Sequence, residues 1–159
     1  MLSRRPTTRK PRSASRNRGG AALVEFAFVA TITLLVFFAI LEYARFVFLL
    51  QIANNAAREG ARLAVAHTGD GTTQQNIIDE VTARMAGRDK ELVGYTVTVQ
   101  NVDPSTGNPI PNTTWDQSAF GNAISVQITG SYKPILPGLL GTAGSISVKV
   151  TSIMSSEGN

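Results

Sequence analysis

The chain has 159 residues, no cysteine, one histidine and a formal charge of +4. Without cysteine, disulfides, thiolate metal sites and cysteine nucleophiles are excluded, and His67 alone is too few for a histidine metal cluster or a Ser-His-Asp set, so it reads as a loop residue. The first twenty residues carry seven bases (Arg4, Arg5, Arg9, Lys10, Arg12, Arg16, Arg18) and no acid, whereas the rest carries eight bases and eleven acids; the basic character is therefore a local arm, not a surface that tracks nucleic-acid phosphates.

Residues 1–20, rich in Arg, Ser, Pro and Thr, bury too little apolar surface to offset chain entropy and read as a disordered arm. From Ala21 to Leu41 only Glu25, Thr31 and Thr33 interrupt an apolar run. As a helix that run is about 31 Å long, the thickness of a bilayer's hydrocarbon. A domain of roughly 90 residues cannot cover so uniformly apolar a helix, so a membrane span is expected. Seven bases before the span place the arm in the cytoplasm and the remainder outside by the positive-inside bias.

Helical character continues through "LEYARFVFLLQIANNAAREGARLAVA", which has no proline. Small residues recur four apart at Ala53, Ala57 and Ala61, and again at Ala56, Gly60 and Ala64. Such stripes allow close helix approach, either to neighbouring subunits or to the chain's own sheet. A helix from Ala21 to Ala66 would be about 69 Å long, too long for one small domain to bury, so part of it must meet lipid, other subunits or both. In "REGAR", Arg58 and Arg62 share one face and Glu59 can reach Arg62; the motif reads as an intersubunit contact or a solvated face. Glu42 and Arg45 are spaced for an ion pair at the outer membrane boundary.

"HTGDGTT" breaks the helix, and a second helix is expected over 73–86 with Ile77, Ile78, Val81 and Met85 on one face and Gly87 as its stop. Three period-two stretches follow: Tyr95, Val97 and Val99; Ile124, Val126 and Ile128; Ile146, Val148 and Val150. Each has one apolar face, which predicts an antiparallel sheet covered on one side by the helices. The class is therefore α+β: a long N-terminal transmembrane and stalk helix, then a small domain with a second helix and about three strands. Trp115 and Phe120, in the long loop 101–122, are expected to fold back onto the sheet. "HTGDGTT" lacks the Gly-Lys-Ser/Thr ending of a phosphate loop and "DPSTGN" lacks a calcium loop's closing glutamate. No catalytic residue, metal site or cofactor is expected.

At "GGAALVEFAFV" the sequence resembles the type IV prepilin signal, in which a membrane peptidase cuts after glycine and leaves glutamate fifth in the mature chain. The implied cut lies between Gly20 and Ala21, with Glu25 fifth and Phe26 sixth. "GAALVEFAFV", "ILEYARF" and "AAREGARLA" are similar to the TadE-like pseudopilins of the tight-adherence (Flp, type IVb) system. Thr31 stands near the place where that family commonly has proline. The resemblance implies a pilin-like, non-enzymatic minor pseudopilin, processed by a prepilin peptidase after Gly20 and serving surface-adherence pili. It implies three parts: a cleaved cytoplasmic leader (1–20), a transmembrane and stalk helix (21–66) and an exported domain (67–159). The protein would be single-pass in the inner membrane or incorporated in a pilus. Its implied partners are the peptidase, other pilins or pseudopilins, Tad secretion-system membrane components and the lipid bilayer. Glu25 would pair with a subunit's new amino terminus, and Ala53, Ala57, Arg58, Glu59, Gly60, Ala61 and Arg62 would serve assembly or helix contacts. The competing expectation is an uncleaved single-span binding module with an exported ligand-binding domain, which would tolerate substitution of Gly20 and Glu25.

Overall fold

The computed structural model describes residues 18–119, 121–139 and 144–155. Most of the basic arm and Phe120 lie outside them. The chain is α+β, with α1 (Arg18–Ala66) and α2 (Gln74–Arg84) preceding β1 (Leu92–Val102), β2 (Ala123–Tyr132) and β3 (Ile146–Ser155). Short 3-10 turns occur at Arg88–Glu91, Trp115–Gln117 and Pro137–Leu139. Two compact units divide after Phe37.

In the first unit, residues 20–37 are helical and exposed, apart from a partly covered Ala30. The segment is continuous helix where a proline would have removed a donor: the hydroxyls of Thr31 and Thr33 donate to the carbonyls of Ala27 and Val29, each at 2.8 Å. These two bonds satisfy the only two hydroxyls in the run, an arrangement suited to an environment without water. α1 is long and apolar enough to cross a membrane.

The second unit begins at Phe38, and from Glu42 the helix buries one stripe: Glu42, Leu49, Ala53, Ala56, Ala57, Gly60, Ala61 and Ala64. These positions recur at helical spacing, and their small size lets the α1 backbone approach the sheet and α2 closely. Gly60 sets the limit, because a Cβ there would stand 2.3 Å from Val81 Cγ2. α2 starts at Thr73, whose hydroxyl accepts from the Asn76 amide while the Asn76 side chain accepts from the Thr73 amide at 3.0 Å. This reciprocal capping satisfies donors that the first helical turn leaves unpaired. α2 ends as Ala86 and then Gly87 turn to positive φ, 50° and 80°; glycine adopts this region without the Cβ penalty. Ile77, Val81 and Met85 are fully buried, with Ile78 at the margin.

The three strands form one antiparallel sheet in the order β1-β2-β3. Val97 pairs with Ile128 and Val99 with Val126, while Ile128 pairs with Val150. Alternation puts these residues on the face covered by α1 and α2, as the period-two pattern predicts. The other face is not wholly open: Val102, Ala123 and Ser125 are buried there. The loop after β1 folds over them, with Pro109 bridging to Val102 and Gly107 beside Ile153. Trp115 turns back into the helix-side core and is 4% exposed. Asp103 is occupied locally, accepting from the amides of Ser105 (2.7 Å) and Thr106 (3.1 Å), so "DPSTGN" is a side-chain-stabilised turn.

Candidate functional site

Two of the three acids of the long helix, Glu25 and Glu42, stand in opposite surroundings. Glu25 is exposed among Leu23, Val24, Phe26 and Phe28, and has no ion pair among the described residues. Glu42, the first residue after the apolar run, is 5% exposed and accepts a hydrogen bond from the Tyr132 hydroxyl at 2.6 Å. That bond joins positions ninety residues apart and ties the end of β2 to the start of the buried helical stripe.

A charged cluster surrounds this contact. Arg45 donates through Nη2 (2.8 Å) and Nε (3.2 Å) to Glu91 Oε2, while Arg88 donates to Glu91 Oε1 at 2.5 Å. Burial alone would raise the Glu91 carboxyl, but the hydrogen bonds from Arg88 and Arg45 outweigh it and hold it below its ordinary value. Burial first, and the Glu42 carboxylate second, push the Tyr132 phenol up to about 12. The guanidinium of Arg45 also lies 5.5 Å from the Tyr132 ring centre, and Phe46 packs on the same ring at 5.2 Å. The expected Glu42–Arg45 pair is present only as a 3.8 Å approach; each residue has a stronger partner in the sheet or the turn before it. No local spacing reveals Tyr132, because its side chain meets α1 only after the sheet has formed.

Of the anticipated contact residues, Ala53, Ala57, Gly60 and Ala61 lie inside the chain's own core, where they are helix contacts with α2 and the sheet. Of the two expectations for this stripe, close packing on the chain's own sheet is the one these contacts fit, and its surface is covered. Arg58 and Arg62 are exposed and Glu59 is partly covered. Arg62 donates to Glu59 at 2.5 Å, and Arg84 of α2 stands 3.8 Å from the same carboxylate while pairing with Glu80 at 2.6 Å. "REGAR" thus laces α1 to α2 at the surface and leaves Arg58 outward. Gly20, Ala21 and Phe26 are all exposed on α1.

His67 Nδ1 lies 2.5 Å from Asp70 Oδ2 in the turn after α1. With the Thr72 hydrogen bonds, that contact lowers the Asp70 carboxyl to about 2. The cleft beside Trp115, about 220 Å³, is lined by Gln74, Asn101, Ile110 and Thr113 among others, none of them titratable. It offers amide and hydroxyl groups but no acid or base.

No curated protein and no solved structure matches the chain. A family model described as TadE-like protein matches residues 20–62, beginning at Gly20. A second model, described as Tad-like Flp pilus-assembly, matches residues 51–153, about two thirds of the chain and nearly the whole α+β domain. The exposed apolar part of α1 and the three-stranded domain behind it are the two parts that these matches cover, and the chain belongs to the Tad-like Flp pilus-assembly family, with a TadE-like amino-terminal segment.

Proposed function

We propose that the protein is a minor pseudopilin of a Tad/Flp-type pilus assembly apparatus, a non-enzymatic subunit processed by a prepilin peptidase after Gly20. In this reading residues 1–20 are a cytoplasmic leader, the apolar run anchors the subunit in the inner membrane, and the domain after it is exported. Its partners are the peptidase, the lipid bilayer, other pilins or pseudopilins and the membrane components of the Tad system.

The observation that carries the reading is the contrast between Glu25 and Glu42. Glu42 is consumed by the fold, whereas Glu25 is exposed on an apolar helix with no ion pair among the described residues. A carboxylate inside hydrocarbon costs about 2.5–3.5 kcal/mol on insertion scales, so it needs an interface or a partner. Cleavage after Gly20 creates an ammonium at Ala21, one helical turn from Glu25, and on a neighbouring subunit the same ammonium is a partner of matching charge. Arg58, on the outward face of "REGAR", is available to a further subunit contact, whereas the alanine stripe is not.

Mass spectrometry of the membrane-extracted protein tests the processing step. The expected product begins at Ala21 in cells with active prepilin peptidase and at the leader in cells without it. Retention of the Arg-rich arm in both would overturn the proposal and return the uncleaved single-span module.

A further inference from the structure

We infer that the globular domain rests on the exported face of the bilayer through the Lys133–Leu136 turn, with Ile135 and Leu136 inserted among the lipid acyl chains. The inference rests on the reading of the apolar run as a membrane span, and commits the sheet end of the domain to the same lipid.

The geometry comes from within the second unit. The Tyr132 hydroxyl is 2.6 Å from Glu42, the residue that follows the apolar run. Ile135 is three residues beyond Tyr132, a reach of at most about 10 Å for an extended chain. It therefore lies at the end of the sheet that Tyr132 fastens to Glu42. At this end of the domain the apolar side chains face outward: Ile135 is 70% exposed, Val93 52% and Leu136 39%, alongside Leu41 and Tyr43 of α1. Val93 pairs with Ser131 on β2, so these residues occupy adjoining strand ends. Single exposed apolar residues are ordinary, but a group of them beside a membrane-length run is not.

The turn is also built to present them. Its sequence is Lys-Pro-Ile-Leu-Pro, with Pro134 buried as the seat and Ile135 and Leu136 outward. Two prolines fix φ on either side and reduce the entropy lost when the tip is ordered. Lys133 in the turn, Tyr43 of α1 and Lys90 before β1 are exposed, and Arg45 and Arg88 meet at Glu91; these are residue types that settle at headgroup level. Asp89 and Glu91 offset part of that charge while Glu42 is buried against Tyr132, so apolar insertion, not attraction to anionic lipid, is the driving contact. A second copy is the weaker occupant: a specific protein interface buries about 1,200–2,000 Å², more than three apolar side chains offer.

Because the chain has no cysteine, single-cysteine variants of the full protein take one environment-sensitive fluorophore each. Ile135→Cys reports the turn, Val29→Cys the apolar run, and Gln117→Cys the 3-10 turn whose neighbour Ser118 bonds Asn101 near the far end of β1, a strand about 30 Å long. In phosphatidylcholine vesicles the label at 135 is expected to shift to the blue and to be quenched by doxyl-bearing lipid, as at 29, while the label at 117 stays at its water value. A water-like label at 135 with a lipid-like label at 29 overturns the inference and leaves the span intact. Water-like labels at both overturn the two together. A blue-shifted label at 135 that doxyl lipid does not quench means that protein covers the turn, and overturns the lipid assignment.

Discussion

Tyr132→Phe isolates the contact that fastens the sheet to the base of the helix. The substitution keeps the ring, and with it the Phe46 packing at 5.2 Å and the Arg45 approach at 5.5 Å, but removes the proton donated to Glu42 at 2.6 Å. Glu42 is 5% exposed, so water cannot replace the lost donor freely, and Arg45 at 3.8 Å is too far to hydrogen bond. A hydrogen bond to a charged group contributes about 1.5–3 kcal/mol, and about 2 kcal/mol is expected here. For a domain of about 100 residues, that loss lowers the melting temperature by about 10 °C. The chain's single tryptophan, Trp115, is buried in the core and reports unfolding of the full protein in detergent. The pH dependence has a definite sign. Because the folded-state pKa is raised from its ordinary value of 10.0 to about 12, the contribution is complete below pH 10, fades as pH rises toward 12, and is absent from Tyr132→Phe throughout. An unchanged melting temperature in Tyr132→Phe at neutral pH would refute the claim that Glu42 depends on this donor.

Three further outcomes follow from individual contacts. Gly60→Ala replaces the poorest helix former but one with the best, worth about 1 kcal/mol in an open helix; here the new Cβ meets Val81 Cγ2 at 2.3 Å, so a net loss of about 1–3 kcal/mol is expected in the Trp115 melt, and a stabilised variant would contradict the close packing of α1 on α2. Asp70 is expected to titrate near 2 by carboxyl NMR and to move back toward the ordinary carboxylate range in His67→Ala; its stabilising effect is present above that range and fades as pH falls toward 2, and an ordinary titration in the unaltered protein would exclude the His67 contact. Glu25→Gln is expected to leave the melt of the domain within about 0.5 kcal/mol of the parent while impairing incorporation into pilus assemblies, read by co-purification with partner subunits; normal incorporation would remove Glu25 from the proposed assembly contact.

The parts of the fold that the sequence makes legible are those in which a local rule has one outcome. Val97 and Val99, Ile124 to Ile128, and Val148 and Val150 alternate with polar residues, and a strand with one covered face is the only regular element that uses such a pattern. Thr73 and Gly87 bracket α2 for similarly local reasons. The alanine stripe is different, because close approach needs small residues whether the neighbour is α2 or another subunit; only the placement of Val81 and the sheet decides. Tyr132 is harder still. It ends a strand, beyond the useful alternation, and its partner lies ninety residues earlier. The burial of Val102, Ala123 and Ser125 on the supposedly open face was equally illegible, since the covering loop is an irregular Pro/Gly-rich segment without periodicity.

The helix thereby separates two tasks along its length. From Glu42 onward its stripe is occupied by the chain's own sheet and α2, and every small residue in that stripe has a neighbour that would resist displacement. Before Phe38 the described helix has no such cover, and its one carboxylate gains nothing from the fold. The folding contacts are therefore concentrated in the second segment, and the first adds none of comparable burial to them. Glu25 makes no ion pair among the described residues, whereas Glu42 acts through Tyr132. Exchanging the two environments is not possible by moving a charge alone: a buried acceptor needs a donor at hydrogen-bond distance, and an acid on an apolar helix needs an external cation or an interface.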